Sequence, residues 1–520
     1  MLKKFLLKYF SLLLLFFFCN ICSAAEPAQN NISLIDAVRL TIKNQPNIKI
    51  QEQEVEIKKG ALQTAKGEFD TAVSAFIGAE HKELTYPASE KIKGIIEKLK
   101  TDTTTYGVNL NKKLRGGVKI EPQLDVTYTN SSTSPINQYE PTNIGRINFT
   151  ITVPLLKGKG KKVTTATETA AKKEYEASVL QLRHKTSEYI LNTVSTYWEY
   201  LASYKILKKR KEAEKNAKRL VVNTQKLIAA DKSPGSDLEQ IAANSEDKTA
   251  DRINAEQSFF EAKQKLGIAL GISFEKIKQL PLPSDNFSIP QKNNMIDYDK
   301  IFEKIIKQAL QNRADFLSAK KQEEADKILF EASKNNLLPQ IDLKLNAGYE
   351  GLSENGNYAD TLSALQNNVA GLNYSALLNY EIPVANNIAK GILSQKKAAY
   401  NQSIISKKEL ERNICSNVIT ALSDLNNGKL SLIKSEKAVL FYKKAVKNEE
   451  NKLIMGISTI FDLISIEDKL INSALKVISS ELKLNKALAY LRFETGSLIL
   501  NKQNYDSIGI EELTTIPFVN

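Results

Sequence analysis

Apolar residues recur along this chain with two periods. The first is strict alternation. Ile341, Leu343, Leu345, Ala347 and Tyr349 interleave with Gln340, Asp342, Lys344 and Asn346, and Leu372, Tyr374, Ala376, Leu378, Tyr380 and Ile382 oppose Asn373, Ser375, Asn379 and Glu381. Earlier in the chain, Ile147, Phe149, Ile151 and Val153 oppose Arg146, Asn148, Thr150 and Thr152, while Val118, Ile120, Leu124, Val126 and Tyr128 oppose Lys119, Glu121, Gln123, Asp125 and Thr127. Weaker alternation covers Thr71–Ala79 and Tyr106–Leu110. Segments of about 10–12 residues with one apolar and one polar face suit a half-solvated sheet or the wall of an outer-membrane barrel. Alternation alone fits both.

The second period is helical. From Val163 the heptad a and d positions read Val163, Ala166, Ala170, Lys173, Ala177, Leu180, His184, Ser187, Leu191, Val194, Trp198 and Leu201. From Ile460 they read Ile460, Leu463, Glu467, Leu470, Ala474, Val477, Glu481, Leu484, Leu488 and Leu491. Such stripes predict coiled-coil packing. An uninterrupted helix of about 70 residues would run roughly 105 Å, which folds back at short turns into long helical hairpins.

The two periods occur twice in one order: helix, strands, very long helix, turn, long helix. Leu40–Ile48 parallels Gln308–Phe316 at an offset of 268, whereas Pro154 and Pro383, after the strands, are offset by 229, leaving the first strand region 39 residues longer. An internal repeat of this kind implies a duplicated architecture. The predicted organisation is a signal peptide at 1–25 and a first repeat at 26–280, with strands in 69–154 and a helical hairpin over 160–270. A linker at 281–300 leads to a second repeat at 301–498, with strands in 339–383 and a hairpin over 388–495, then a tail at 499–520. The hairpins turn at Asp231–Ser236 and at Gly456–Thr459, and Pro46 marks a kink in the opening helix.

Composition narrows the chemistry. Only 22 Gly and 14 Pro in 520 residues favour long helices. Lys3, Lys4 and Lys8, the apolar run Ser11–Phe18 and Ser23-Ala24-Ala25 make a secretory signal cut before Glu26. Removing it discards Cys19 and Cys22, leaving Cys415 alone and no intrachain disulfide. The formal charge of +13 falls to +10 with the loss of three lysines, and the remaining basic residues are interspersed with Glu. Nucleic-acid binding, which needs a concentrated basic patch, is not expected. The two histidines, His81 and His184, share no ligand-like spacing, so no metal is expected. Gly158-Lys-Gly160 lacks the spacing of a phosphate loop and reads as a strand-to-helix junction. Cys415 has no paired base, and the chain carries no set of catalytic or cofactor-binding residues. No mature stretch approaches 18 consecutive apolar residues, so no transmembrane helix is expected.

An exported, duplicated chain of strand and helical hairpins resembles the TolC family of outer-membrane efflux and secretion channels, over about residues 32–498. The resemblance is carried by Ser33-Leu-Ile-Asp-Ala-Val-Arg-Leu40 with Asn44-Gln-Pro-Asn47, by Thr152-Val-Pro-Leu-Leu156, by Leu337-Leu-Pro-Gln340 and, most specifically, by Gly456-Ile-Ser-Thr-Ile-Phe-Asp-Leu-Ile464. It implies an α+β membrane protein, a homotrimer whose strands join in one outer-membrane β-barrel, continued by a long periplasmic α-helical (coiled-coil) barrel. The implied role is the exit duct of a tripartite efflux pump or type I secretion system, in the outer membrane and extending into the periplasm. Its implied partners are a periplasmic adaptor protein, an inner-membrane transporter and outer-membrane lipid, with no cofactor. Asp462, and Ser465 where the family has a second aspartate, are the implied periplasmic aperture. Gly456, Thr459, Asp237 and Gly235 mark the turns where an adaptor would dock. An Asp in the first turn of a helix also has an ordinary role at the dipole, and a periplasmic coiled-coil scaffold without a pore is the alternative reading of the whole chain. The strand number is open, because the 39 extra residues could add strands or lengthen a loop.

Overall fold

The structure is a computed structural model that describes residues 31–85, 98–134, 137–138, 140–230, 234–288, 298–354, 363–366 and 371–498, with 513, 515 and 517. The expected signal peptide and most of the tail lie outside the described residues. Two units separate by their contacts: one comprises residues 49–185 and 310–415, the other residues 1–48, 186–309 and 416–520. Each unit thus draws on both halves of the sequence.

The first unit is built on one antiparallel sheet. Its six long strands are β1 (Thr71–Thr85), β2 (Lys98–Lys113), β3 (Lys119–Ser134), β4 (Thr142–Pro154), β5 (Gln340–Glu354) and β6 (Leu372–Glu381). They lie side by side in chain order, and the two-residue strand Asn137–Gln138 pairs with β3 at one side. β1 and β2 outrun the short alternations at 71–79 and 106–110. The added length includes the run Asp102-Thr-Thr-Thr105, whose β-branched residues suit a pleated strand without any apolar alternation. Among the described residues the longer first half carries more strands: four of the six long strands precede residue 155. Pro122 has no N–H to give, and between the pairs Asn109–Gln123 and Lys112–Ile120 the β2–β3 ladder lapses.

Register sorts the side chains into two faces. Val73, Leu110, Leu124, Ile147, Tyr349 and Leu372 share one face with their alternating neighbours, because each opposes a member of that face on the next strand. The other face is mainly polar, with Phe76, Ile144, Leu352 and Leu377 among its apolar members. There the Arg146 guanidinium lies 2.9 Å from Glu350 and 3.7 Å from Asp125, and Thr150 donates to Asn346 at 2.7 Å. At one end of the apolar face the short 3-10 turn Ser363–Leu365 covers Gly145, where a Cβ would come within 2.7 Å of the Leu365 side chain.

Two glycine turns close the strand ends nearest the helices. Gly117 has φ +100, and a Cβ there would meet the Gly158 carbonyl at 2.4 Å. Gly160 donates its N–H to the Gly116 carbonyl at 3.2 Å. Gly158-Lys-Gly160 is thus a tight backbone junction. Helices α2 (Pro46–Gly67) and α6 (Ala314–Asn335) lead into β1 and β5. Residues 301–338, expected as one helix, divide at Arg313, whose extended backbone (ψ 118) ends α5 (Tyr298–Asn312). The Arg313 guanidinium grips Asp315 at 3.0 and 2.7 Å, and His184 lies 3.8 Å from the same carboxylate. Burial works to raise the Asp315 carboxyl, but Arg313, with His184 and the Phe316 N–H, holds it below the usual range.

The second unit is helical. Within it, α1 (Leu34–Asn44) starts in a reciprocal Ser33–Asp36 capping box, and Gln45 separates it from α2. From residues 186 and 416 onward this unit takes up the long helices: α3 (Ala166–Ala229) and α4 (Ser236–Leu270) form one hairpin, α7 (Asn387–Ile454) and α8 (Ile460–Glu494) the other. Around residue 198 the burial of α3 is wider than an a/d seam. Ile190, Tyr197 and Tyr200, all off the predicted stripe, are fully buried with Val194, Trp198 and Leu201, whereas Leu191 and Ser187 are half-buried. The reason is enclosure by other segments: the Tyr200 ring stacks 5.1 Å from Phe259, Trp198 meets Phe287 at 5.5 Å, and Leu34, Leu266 and Leu270 join the same core.

Asp285 stitches that core. Its carboxylate accepts from the Leu34 N–H at 2.6 Å and the Tyr197 hydroxyl at 2.7 Å, and residues 31–32 pair with 282–283 beside it. Asp285→Ala leaves a partly buried N–H without its acceptor, so the expected loss is about 1–3 kcal/mol of stability, read as a lower urea midpoint in detergent.

Candidate functional site: the hairpin turns and the charged layer beside them

At the α7–α8 turn, Gly456 takes φ +72, the left-handed conformation that ends a helix without a Cβ clash. Two bonds close it: Ile457 N–H to the Lys452 carbonyl at 2.9 Å and Gly456 N–H to the Leu453 carbonyl at 3.0 Å. Thr459 then caps α8. Its N–H and hydroxyl donate to one Asp462 carboxylate oxygen at 3.1 and 2.6 Å, and Asp462 returns its own N–H to the Thr459 hydroxyl at 3.2 Å. The Thr459 hydroxyl and then its N–H hold the Asp462 carboxyl below the usual range, so it is an anion at neutral pH. Ser465, one turn on, is exposed with Asp462. Ser458 donates to Glu449 at 2.5 Å, and Ile454, Met455 and Ile457 stand exposed at the tip.

The other turn is built differently. Gly235 precedes α4 in a right-handed conformation with no side-chain cap. Asp237 donates its N–H to the Pro234 carbonyl at 3.2 Å and is half-buried in the first helical turn. Residues 231–233 of this turn lie outside the described residues. The structure therefore brings Gly456, Thr459 and Asp462 into one bonded turn, with Ser465 on its open face, and places Gly235 and Asp237 at the start of α4.

A layer of charge follows these turns. Lys248 of α4 meets Asp468 of α8 at 2.6 Å, tying one hairpin to the other. The neighbouring Glu467 is half-buried; burial first, then Glu450 and Asp468, push its carboxyl up, against Arg219 and Lys248. Within the first hairpin, Glu214 of α3 takes Lys218 at 2.7 Å and Arg252 of α4 at 2.9 Å, while Arg210 meets Asp251 at 2.6 Å. These residues were not singled out from the sequence. The available signal was Glu467 itself, a carboxylate on the apolar stripe of α8.

Among the described residues no group of His, Cys, Asp and Glu is placed to hold a metal ion, and no helix is long and apolar enough to cross a membrane. No protein-family model matches the sequence, and no curated protein matches it. Solved structures do match. The outer-membrane channel OprN superposes with a TM-score of 0.63 at 13% identity, covering 89% of this chain and 89% of that one. The CmeC outer membrane channel of Campylobacter jejuni gives 0.63 at 14%, covering 89% and 85%, and the outer membrane protein VceC of Vibrio cholerae gives 0.63 at 13%, covering 89% and 96%. The chain has the fold of the TolC-family outer-membrane channels. The likeness covers 89% of the chain, and it is reached at an identity where only the architecture is shared.

Proposed function

We propose that this protein is a passive exit duct in the outer membrane. Three copies join their strands in one barrel through the membrane, and their helical hairpins form a periplasmic tunnel. The observation that carries this reading is the sheet. Six adjacent strands carry an apolar stretch on one face, from Val73–Ile77 across to Leu372–Tyr380, opposite a mainly polar face, as a wall between lipid and water requires. An inner-membrane transporter supplies the energy, a periplasmic adaptor docks at the Gly456–Thr459 and Gly235–Asp237 turns, and cargo passes as in a tripartite efflux pump or a type I secretion system. The duct hydrolyses nothing.

Purified protein in planar bilayers should give stepwise conductance, and outer-membrane fractions should yield trimers that salt washing does not release. Protein that forms no pore and washes off with salt is instead a periplasmic scaffold. In the trimer, three Asp462 carboxylates stand around the aperture and favour cations. Asp462→Ala should lower the cation-to-anion permeability ratio severalfold; unchanged reversal potentials in a salt gradient would remove Asp462 from the aperture.

A further inference from the structure

The two edges of the sheet are unlike ordinary protein edges. Every residue of β1 and every residue of β6 is exposed, along strands of 15 and 10 residues. Soluble sheets blunt such edges with short strands, lysines, prolines or bulges. β6, Leu-Asn-Tyr-Ser-Ala-Leu-Leu-Asn-Tyr-Glu, has none of these and a single charge, and the first nine residues of β1 have no charge at all. Both edges also continue the apolar face, with Val73 and Ile77 on β1 and Leu372, Tyr374 and Leu378 on β6 all more than half exposed. They are built to be paired.

The strand count says with what. Six antiparallel strands in chain order leave β6 running opposite to β1, so β6 of one copy can meet β1 of the next as one more antiparallel pair. A barrel closed from one copy alone would hold no open channel, because even eight strands leave a barrel filled by its own side chains.

We propose that copies of this chain join β6 to β1 with all six strands in the wall, giving eighteen strands in the trimer. This rests on the trimeric duct reading above. The second half of the sequence supplies two strands, and a first half built alike would give twelve in all; the extra hairpin in the first half makes the difference. With strands about 4.8 Å apart and tilted by about 40°, the backbone cylinder widens from about 24 Å to about 36 Å across. The exit is then broad enough for two packed helices abreast, at about 10–12 Å each.

The test uses the full chain with Cys415→Ser and a cysteine on the polar face of each edge: Ser74→Cys with Asn373→Cys, Ser375→Cys, Leu377→Cys or Asn379→Cys in turn. Mild oxidation in outer membranes should shift at least one of the four to disulfide-linked dimers and trimers on a non-reducing gel, and electron cryomicroscopy should count eighteen wall strands. Cross-linking of Ser375→Cys to Gln123→Cys or Asp125→Cys on β3 would overturn the proposal, since β1 and β2 would then lie outside a twelve-strand wall. A trimeric pore with no edge cross-link in any of the four pairs would overturn it too. Edge cross-links in an assembly of other than three copies would leave six strands per copy standing and overturn the trimer instead.

Discussion

Trp198→Ala lowers the stability of the helical unit by about 3–5 kcal/mol, the range for emptying a buried aromatic site. Trp198 is 1% exposed and the largest of the fully buried side chains, with Tyr197 edge-on at 5.5 Å and Phe287 at 5.5 Å. Its neighbours come from segments far apart in the chain, among them α1, the end of α4 and residues 280–287. Those segments cannot all move inward to fill the space, so much of the cavity persists. The measurement is urea denaturation in detergent followed by far-UV circular dichroism, with Trp198→Phe expected to lose less than half as much. Because the chain has a single tryptophan, its fluorescence in the unaltered protein reports this core directly. Equal losses for alanine and phenylalanine would mean that the indole, and not the filled volume, holds the segments together.

The same residue marks what could be read from the sequence. Trp198 falls on the heptad stripe, and the stripe rightly makes it core. Tyr197 and Tyr200 do not fall on it, and their burial depends on contacts with residues 259 and 281–287, which no local period encodes. The strands show the same division. β3 to β6 alternate because one face is apolar along their length. β1 and β2 lose that alternation beyond residues 79 and 106, where Glu80, His81, Lys82 and the threonine run take over, so their full extent emerges only from pairing. At the tip, Gly456, Thr459 and Asp462 were legible because a helix stop and a capping box are local chemistry. The Lys248–Asp468 pair was not, since its partners are 220 residues apart and meet only through the hairpins.

Lys248→Glu should hold the proposed duct open. Lys248 and Asp468 are 2.6 Å apart, with their side chains 14% and 35% exposed, so the pair is partly screened and its loss costs about 1–2 kcal/mol. If the three copies of the proposed trimer open together, the costs add to about 3–6 kcal/mol, or roughly two to four orders of magnitude in open population. Reversing the charge also sets a third acid beside Asp468 and Glu467. Planar-bilayer recordings should pass from rare to dominant large openings, and the double variant Lys248→Glu with Asp468→Lys should return them to rare. A double variant as open as the single one would show that the pair does not hold the hairpins. Glu467 adds a pH dependence of known sign. Its carboxyl is raised in the packed hairpins by burial and by Glu450 and Asp468, and returns toward the ordinary value of about 4.3 when they part. The packed state therefore binds this proton more tightly. Closure is strongest below the ordinary value and weakens as pH rises through the raised one. Glu467→Gln carries the neutral form at every pH, so it should reduce openings at neutral pH and flatten their increase as pH rises above the ordinary carboxyl value of about 4.3. An unchanged pH profile in Glu467→Gln would assign the titration to another group, and the ion pair alone would then account for the closed state.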